Sequence, residues 1–190
     1  MHKGRLEAFS DGVIAIIITI MILELKIPDE NTLTALIPLV PKFLSYVFSF
    51  AFIGIYWNNH HHLLQAAKHV NGAILWANLH LLFWLSLIPF VTGWMGETNF
   101  STIPVAVYGG ILWLSGLAYF ILVQVLAANH DENSIISMLS KDPKGIMSMI
   151  LYTLAVPLAF VSKWISLSFY ICVTIMWLIP DKRIERKLME

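Results

Sequence analysis

Charge is what this sequence has least of. Its 190 residues include 12 Lys and Arg and 12 Asp and Glu, 13% in all, against ~25% in an ordinary soluble domain. The remainder is 58% hydrophobic, with a mean hydropathy of +0.74, so the solvent of this chain is mostly lipid. Formal net charge is zero, which leaves no basic surface for nucleic acid. The single Cys172 excludes an internal disulfide and, lying in an apolar run, is expected to pack rather than react. No H-E-x-x-H helix, Gly-rich phosphate loop, or Ser/His/Asp or Cys/His arrangement is present, so no enzyme and no cofactor is expected. The amino-terminal start carries Lys3 and Arg5 before an apolar stretch, but Glu7 and Asp11 interrupt it and no A-x-A site follows. That pattern reads as an uncleaved first span rather than a signal peptide. Internal repeats and low-complexity tracts are lacking.

What is present is a series of apolar runs. A helix needs ~20 mainly apolar residues to cross the hydrocarbon core, and six stretches qualify, at about 5–26, 36–57, 73–95, 104–127, 145–162 and 164–180. The expected fold class is an all-α membrane protein with six transmembrane helices in one domain spanning 1–190. The fourth span is flanked by the polar run Asn129-His130-Asp131-Glu132, and the fifth and sixth leave room only for a short turn near Lys163. With the amino terminus cytoplasmic, inside segments hold Lys3, Arg5, Lys68, Lys141, Lys144, Lys182, Arg183, Arg186 and Lys187, and outside segments only Lys26, Lys42 and Lys163. Nine against three favours both termini inside. Trp57, Trp94 and Trp177 near span ends read as interfacial anchors, while Trp76, Trp84, Trp113 and Trp164 are candidates for packing or hydrogen bonding. Pro89 and Pro157 should kink their helices. Gly109 and Gly116, on one face of the fourth span, point to a close helix approach, with Gly110 beside them.

The junction at the head of the first span carries the most information. Arg5, Phe9, Ser10 and Asp11 precede the uncharged run Gly12–Leu23, in which Thr19 is the one polar side chain. Ionisable groups at such a mouth are costly and mark function or a specific partner. At about 100° per residue, Arg5, Phe9, Gly12, Ile16, Ile20 and Leu23 fall within about 40° of Ile16, with Thr19 at the edge of the stripe. Ser10 and Asp11 lie about 120° and about 140° away on opposite sides, so they must face neighbouring helices and find hydrogen-bond donors there. Trp57, His60 and His61 at the end of the second span, and Asn78 and His80 in the third, are the candidates. The run His60-His61-His62 is a poor metal site, because consecutive helical residues point about 100° apart, and a structural network is the better reading.

Arg5-x-x-x-Phe9-Ser10-Asp11 with Leu23-Glu24-Leu25-Lys26-Ile27-Pro28 resembles the signature of the transmembrane protein 175 family, the endolysosomal potassium-leak channels of animals and their prokaryotic relatives. Trp57-x-x-His60, Asn78-x-x-x-Leu82 and Leu87-Ile88-Pro89-Phe90 add to the likeness. The resemblance implies a pore lined by the first helix, with no re-entrant loop, and a homotetramer of single-repeat chains in the plasma membrane of a prokaryote. It places the narrowest constriction at Ile16, with Thr19 and Leu23 at the next lining positions and Ile20 as the alternative. Arg5, Ser10 and Asp11 then belong to a structural motif rather than to the permeation path. The chain has no TVGYG-type segment, the hallmark of a carbonyl filter, and no Arg-rich voltage-sensing span.

A potassium-permeable cation channel is therefore expected, with potassium and other monovalent cations as its partners besides the bilayer. Apolar rings gate by dewetting, and potassium gives up water more readily than sodium, so an Ile16 throat with Thr19 hydroxyls beside it would favour potassium modestly. No bound metal is expected beyond that permeant ion near Ile16 and Thr19. Glu24, Asp29 and Glu30 are candidates for concentrating cations at the outer end. Two rivals remain open. Seven histidines and a possible Asp11–His60 pairing favour a proton-conducting or pH-regulated channel. A secondary transporter would show inverted repeats and broken helices, for which Pro89 and Pro157 are minimal candidates.

Overall fold

A computed structural model of the chain describes residues 3–130, 135–140 and 142–178. All regular structure among them is helical: α1 Lys3–Leu23, a 3-10 segment Leu33–Leu39, α2 Val40–Ala66, α3 Gly72–Ser86, α4 Ile88–Glu97, α5 Thr102–Ala128, α6 Ile135–Leu139, α7 Pro143–Leu158 and α8 Lys163–Leu178. Lys141, Lys182, Arg183, Arg186 and Lys187, which enter the orientation argument, lie outside the described residues, as do Asp131, Glu132 and the last two residues of the sixth expected span. Four helical stretches are long and apolar enough to cross a membrane unaided: Lys3–Leu23, Leu33–Ala66, Gly72–Glu97 and Thr102–Ala128. Helices α7 and α8 are apolar but have 16 residues each, about 24 Å at 1.5 Å per residue.

Helix boundaries follow local chemistry. Pro41 and Pro143 sit in the first turns of α2 and α7, where the missing N–H goes unnoticed. Asn71 caps α3 by accepting from the Ile74 N–H at 3.0 Å, and Asp142 caps α7 by accepting from the Lys144 N–H at 2.9 Å. The third span is broken at Leu87, two residues before Pro89, into α3 and α4. The Thr92 hydroxyl donates back to the Ile88 carbonyl at 2.7 Å just beyond the break. Asn99 and Phe100 both take positive φ, 51° and 57°, in the turn joining α4 to α5.

Two boundaries and one side chain differ from the sequence reading. The second span does not stop at residue 57 but runs helically to Ala66, because its polar end has inward partners rather than water alone. The fifth stops at Leu158, one residue after Pro157, where three-residue bonds Phe160 N–H to Pro157 O and Val161 N–H to Leu158 O unwind it. Cys172 lies on an exposed face of α8 instead of packing inside. The tryptophans also divide differently. Trp57 and Trp177 hydrogen-bond within the fold, as do Trp84 and Trp113, whereas Trp76 and Trp164 are exposed.

Helix α5 forms the middle of the bundle, packed on α3 and α4 on one side and on α7 and α8 on the other, while α2 packs along α4. Helix α1 docks on α2, α3 and α4 at the flank. The glycines of α5 explain one close approach. A Cβ on Gly109 would collide with the Tyr170 side chain of α8, and one on Gly116 would press on Met149 Sδ of α7, whereas Gly110 faces open space. Tyr170 uses that approach to donate to the Val105 carbonyl at 3.2 Å, which ties α8 to α5. Gly109→Val should therefore expel Tyr170 and destabilise the bundle by about 1–3 kcal/mol, read as a lower unfolding midpoint in detergent. Gly110→Ala should leave the midpoint unchanged.

Candidate functional site

Helix α1 has two faces of opposite character. Its start is fixed beside the end of α2: Lys3 Nζ donates to the Gln65 carbonyl at 2.9 Å and lies 3.6 Å from Glu7. Leu6, Ser10, Ile14, Ile17 and Met21 are buried against the bundle. The stripe about 120–140° around from them is uncovered. Phe9 is 52% exposed, Ile16 59%, Ile20 44% and Leu23 77%, and Arg5, Gly12 and Thr19 share that exposure. The Thr19 hydroxyl donates to the Ile16 carbonyl at 2.9 Å, so its proton is spent and its oxygen lone pairs remain available.

The buried face is locked by a short polar chain. Asn78 Nδ2 donates to Ser10 Oγ at 2.9 Å, and Asn78 Oδ1 lies 2.7 Å from His60 Nε2. All three residues are at most 1% exposed. An amide oxygen only accepts, so His60 presents Nε2–H to it. One amide thereby holds α1, α2 and α3 together, and each of its bonds is made where water is absent. Asp11, a residue further on, sits at the edge of the interface rather than in its core. Its Oδ1 accepts from the Trp57 indole N–H at 3.0 Å.

Residues 5–89, which contain the stripe and this network, match the model of the family described as the endosomal/lysosomal potassium channel TMEM175. A potassium channel of Chryseobacterium sp. (strain P1-3) is 54% identical over 191 residues, the full length of both chains. The chain belongs to the TMEM175 family. The crystal structure of a lysosomal potassium-selective channel TMEM175 homologue from Chamaesiphon minutus matches with a TM-score of 0.82 at 29% identity, over 93% of this chain and 96% of that one. The human endosomal/lysosomal proton channel TMEM175 is 36% identical over 86 residues, 39% of this chain and 17% of the human one. This TMEM175 relative is thus an all-α integral membrane protein of an ion-channel family rather than an enzyme family.

Of the residues singled out by sequence, the fold brings Ser10, Asn78 and His60 into one buried chain and Asp11 and Trp57 into a second contact. It does not pair Asp11 with His60. His61 stays outside both and stacks on Trp57, ring centroids 6.0 Å apart. Arg5 and Phe9 lie on the uncovered side, with no hydrogen bond or ion pair to any described residue. His80 accepts from Trp84 one turn along the same helix at 2.9 Å. Among the described residues the histidines build no metal centre, and no grouping of three candidate ligands occurs.

Other polar contacts had only weak sequence signals, isolated hydroxyls in apolar spans. Ser49 Oγ meets Thr92 Oγ1 at 2.7 Å and Tyr108 Oη at 2.8 Å, joining α2, α4 and α5. At the far end of the bundle Lys42 pairs with Glu97 at 2.6 Å. The charge of Lys42 is thus met by a neighbouring helix.

Removing Asn78 strands two buried partners, whereas removing Trp57 frees one half-exposed carboxylate. Asn78→Ala should therefore destabilise by about 2–4 kcal/mol and Trp57→Phe by about 1 kcal/mol or less. Ser10→Ala should fall between them. Thermal unfolding of the purified protein in one detergent checks the order.

Proposed function

We propose that copies of this chain assemble as a homotetramer around an axis lined by α1, forming a potassium-permeable cation channel with its constriction at Ile16. The observation that carries this reading is the uncovered stripe Phe9, Gly12, Ile16, Ile20 and Leu23 on a helix whose opposite face is held by buried hydrogen bonds. A single stripe cannot enclose a path, so the function needs symmetry-related copies, and cyclic closure places identical faces around one axis.

Ions in such a path meet branched aliphatic side chains with no lone pairs. A narrow ring of Ile16 excludes water and hence ions, and a modest widening admits a partly hydrated cation. Four Thr19 oxygens, each with its proton engaged by the Ile16 carbonyl, then offer ligands one turn along. Leu23 and Ile20 complete the apolar wall. Potassium, being larger than sodium, loses water at lower cost, and preference arises from that difference rather than from a rigid filter. Glu24, Asp29 and Glu30 lie at the end of α1 opposite Lys3 and would raise the local cation concentration there. Both termini inside the cell, in a prokaryotic plasma membrane, is the orientation that the Lys and Arg distribution supports.

The name of the human relative favours a second reading, proton conduction. Here His60 is buried at the back of α1 and reaches Ser10 only through a neutral amide, which offers no titrating relay to the stripe. That supports cation conduction over proton relay.

Planar bilayer recordings under a potassium/sodium gradient, with the stoichiometry of the same sample measured by mass, test the proposal. Ile16→Ala should raise single-channel conductance severalfold and move the reversal potential toward equal permeability. Currents that are indifferent to Ile16 would remove it as the constriction. A reversal potential that follows pH would replace potassium by protons, and a saturable flux without unitary currents would favour a transporter.

A further inference from the structure

On the side of α5 facing away from α1, a second feature has no part in the proposed pathway. Helices α2, α5, α7 and α8 line a partly open pocket, with about 80 Å³ of solvent-accessible space, toward the end of the bundle where α1 starts. Its walls are mostly apolar and aromatic, and Tyr56, Tyr119, Tyr152 and Trp177 all line it. Gly116 and Gly145 hollow it out. A Cβ on Gly145 would meet nothing within 4 Å.

Two observations set this pocket apart from a packing gap that any acyl chain would fill. The first is unmet hydrogen bonding. The hydroxyls of Tyr56 and Tyr152 have no hydrogen-bond partner among the described residues, although Tyr152 is only 2% exposed. Tyr119 makes only a long bond to the Asn59 carbonyl, at 3.4 Å. Both Tyr56 and Tyr152 line the pocket, and a polar group that enters it can bond their hydroxyls. The second is charge. Among the described residues that line the pocket, only Asp142 carries a formal charge at neutral pH. Its carboxylate caps α7 through a single bond from the Lys144 N–H and keeps further acceptor capacity. The ammonium of Lys144 faces Trp177, 6.0 Å from the ring centroid, at the edge of the same pocket. The three tyrosine rings and Asp142 are left as a cation-seeking lining.

We propose that this pocket is a binding site for a single-chain amphiphile with a protonated amine head. The chain lies along the apolar walls, and the ammonium donates to Asp142 and to the tyrosine oxygens while resting on their ring faces. A free fatty acid is disfavoured, because its carboxylate would face Asp142. A neutral alcohol satisfies the hydroxyls but forgoes the charge. The site stands apart from the α1 stripe and does not depend on where ions pass.

Native mass spectrometry of the full chain in detergent tests this with dodecylamine, dodecanol and dodecanoate as probes. Dodecylamine should bind saturably at one per chain, about tenfold tighter than dodecanol, with dodecanoate absent. Gly145→Leu fills the open space and should abolish amine binding while leaving the unfolding midpoint unchanged. Asp142→Asn keeps an N-cap residue on α7 and should lower the amine to the affinity of the alcohol. Tyr152→Phe should weaken both probes. Equal binding of amine and alcohol by the wild type would overturn the proposal. So would dodecanoate matching dodecylamine, no saturable binding, or amine binding that survives Gly145→Leu.

Discussion

The amide of Asn78, held between Ser10 and His60, is the interaction on which the rest of the arrangement turns. It sits where neither water nor a charged group competes, so its bonds are nearly all-or-none. Beyond Asp11, helix α1 is apolar but for Thr19, and such a helix can rotate about its own axis against apolar neighbours at little energetic penalty. The buried hydroxyl removes that freedom. Turning α1 by one residue, about 100°, would carry Ser10 away from Asn78 and leave both unpaired in the interior. Fixing Ser10 inward fixes Ile16 outward, since the helix period joins the two. The Trp57–Asp11 contact at the rim adds a second point of register, weaker because it is half in solvent.

Similar logic holds the remaining helices. In lipid, matching one apolar surface to another is a poor guide to which neighbour is right, because lipid tails are as apolar as the protein. Specific hydrogen bonds and close approaches at small residues then choose the partners. Ser49, Thr92 and Tyr108 join α2, α4 and α5. Tyr170 fits over Gly109 to reach the Val105 carbonyl, and Ser166 donates to the Ala155 carbonyl close to where Pro157 ends α7. Lys42 and Glu97 bind α2 to the end of α4 where the bundle meets polar surroundings. Apart from Ser166 and Ala155, which are 11 residues apart, these contacts link segments that the chain brings together only after a long excursion.

This organisation separates two tasks. The flank built by α1 on α2, α3 and α4 presents a regular aliphatic stripe, suited to meeting copies of itself. The opposite flank, built from α2, α5, α7 and α8, is irregular and hollow, with tyrosine hydroxyls lacking partners. In the channel proposed above, a stripe without lone pairs would discriminate among ions through the work of removing their water, a small difference between similar cations. In the pocket proposed above, phenols and a carboxylate would discriminate among amphiphiles through their head groups.

The residue order alone determined that the chain lives in a membrane, since so few charges cannot cover a soluble surface. It also determined that Ser10 and Asp11 point away from the Ile16 stripe, because helical period fixes directions within one element. The motif at the head of the first span was enough to indicate the family. Only the tertiary structure decided which neighbours those directions meet. Asn78 intervenes between Ser10 and His60, Asp11 takes Trp57 and no histidine, and α2 continues to Ala66 because its polar end is clasped from the side. Gly109 accepts a tyrosine where the adjacent Gly110 faces open space, and Cys172 lies outside. Period and hydropathy are properties of a segment, whereas a partner is set by distance between segments far apart in the chain, and that distance exists only once they have packed.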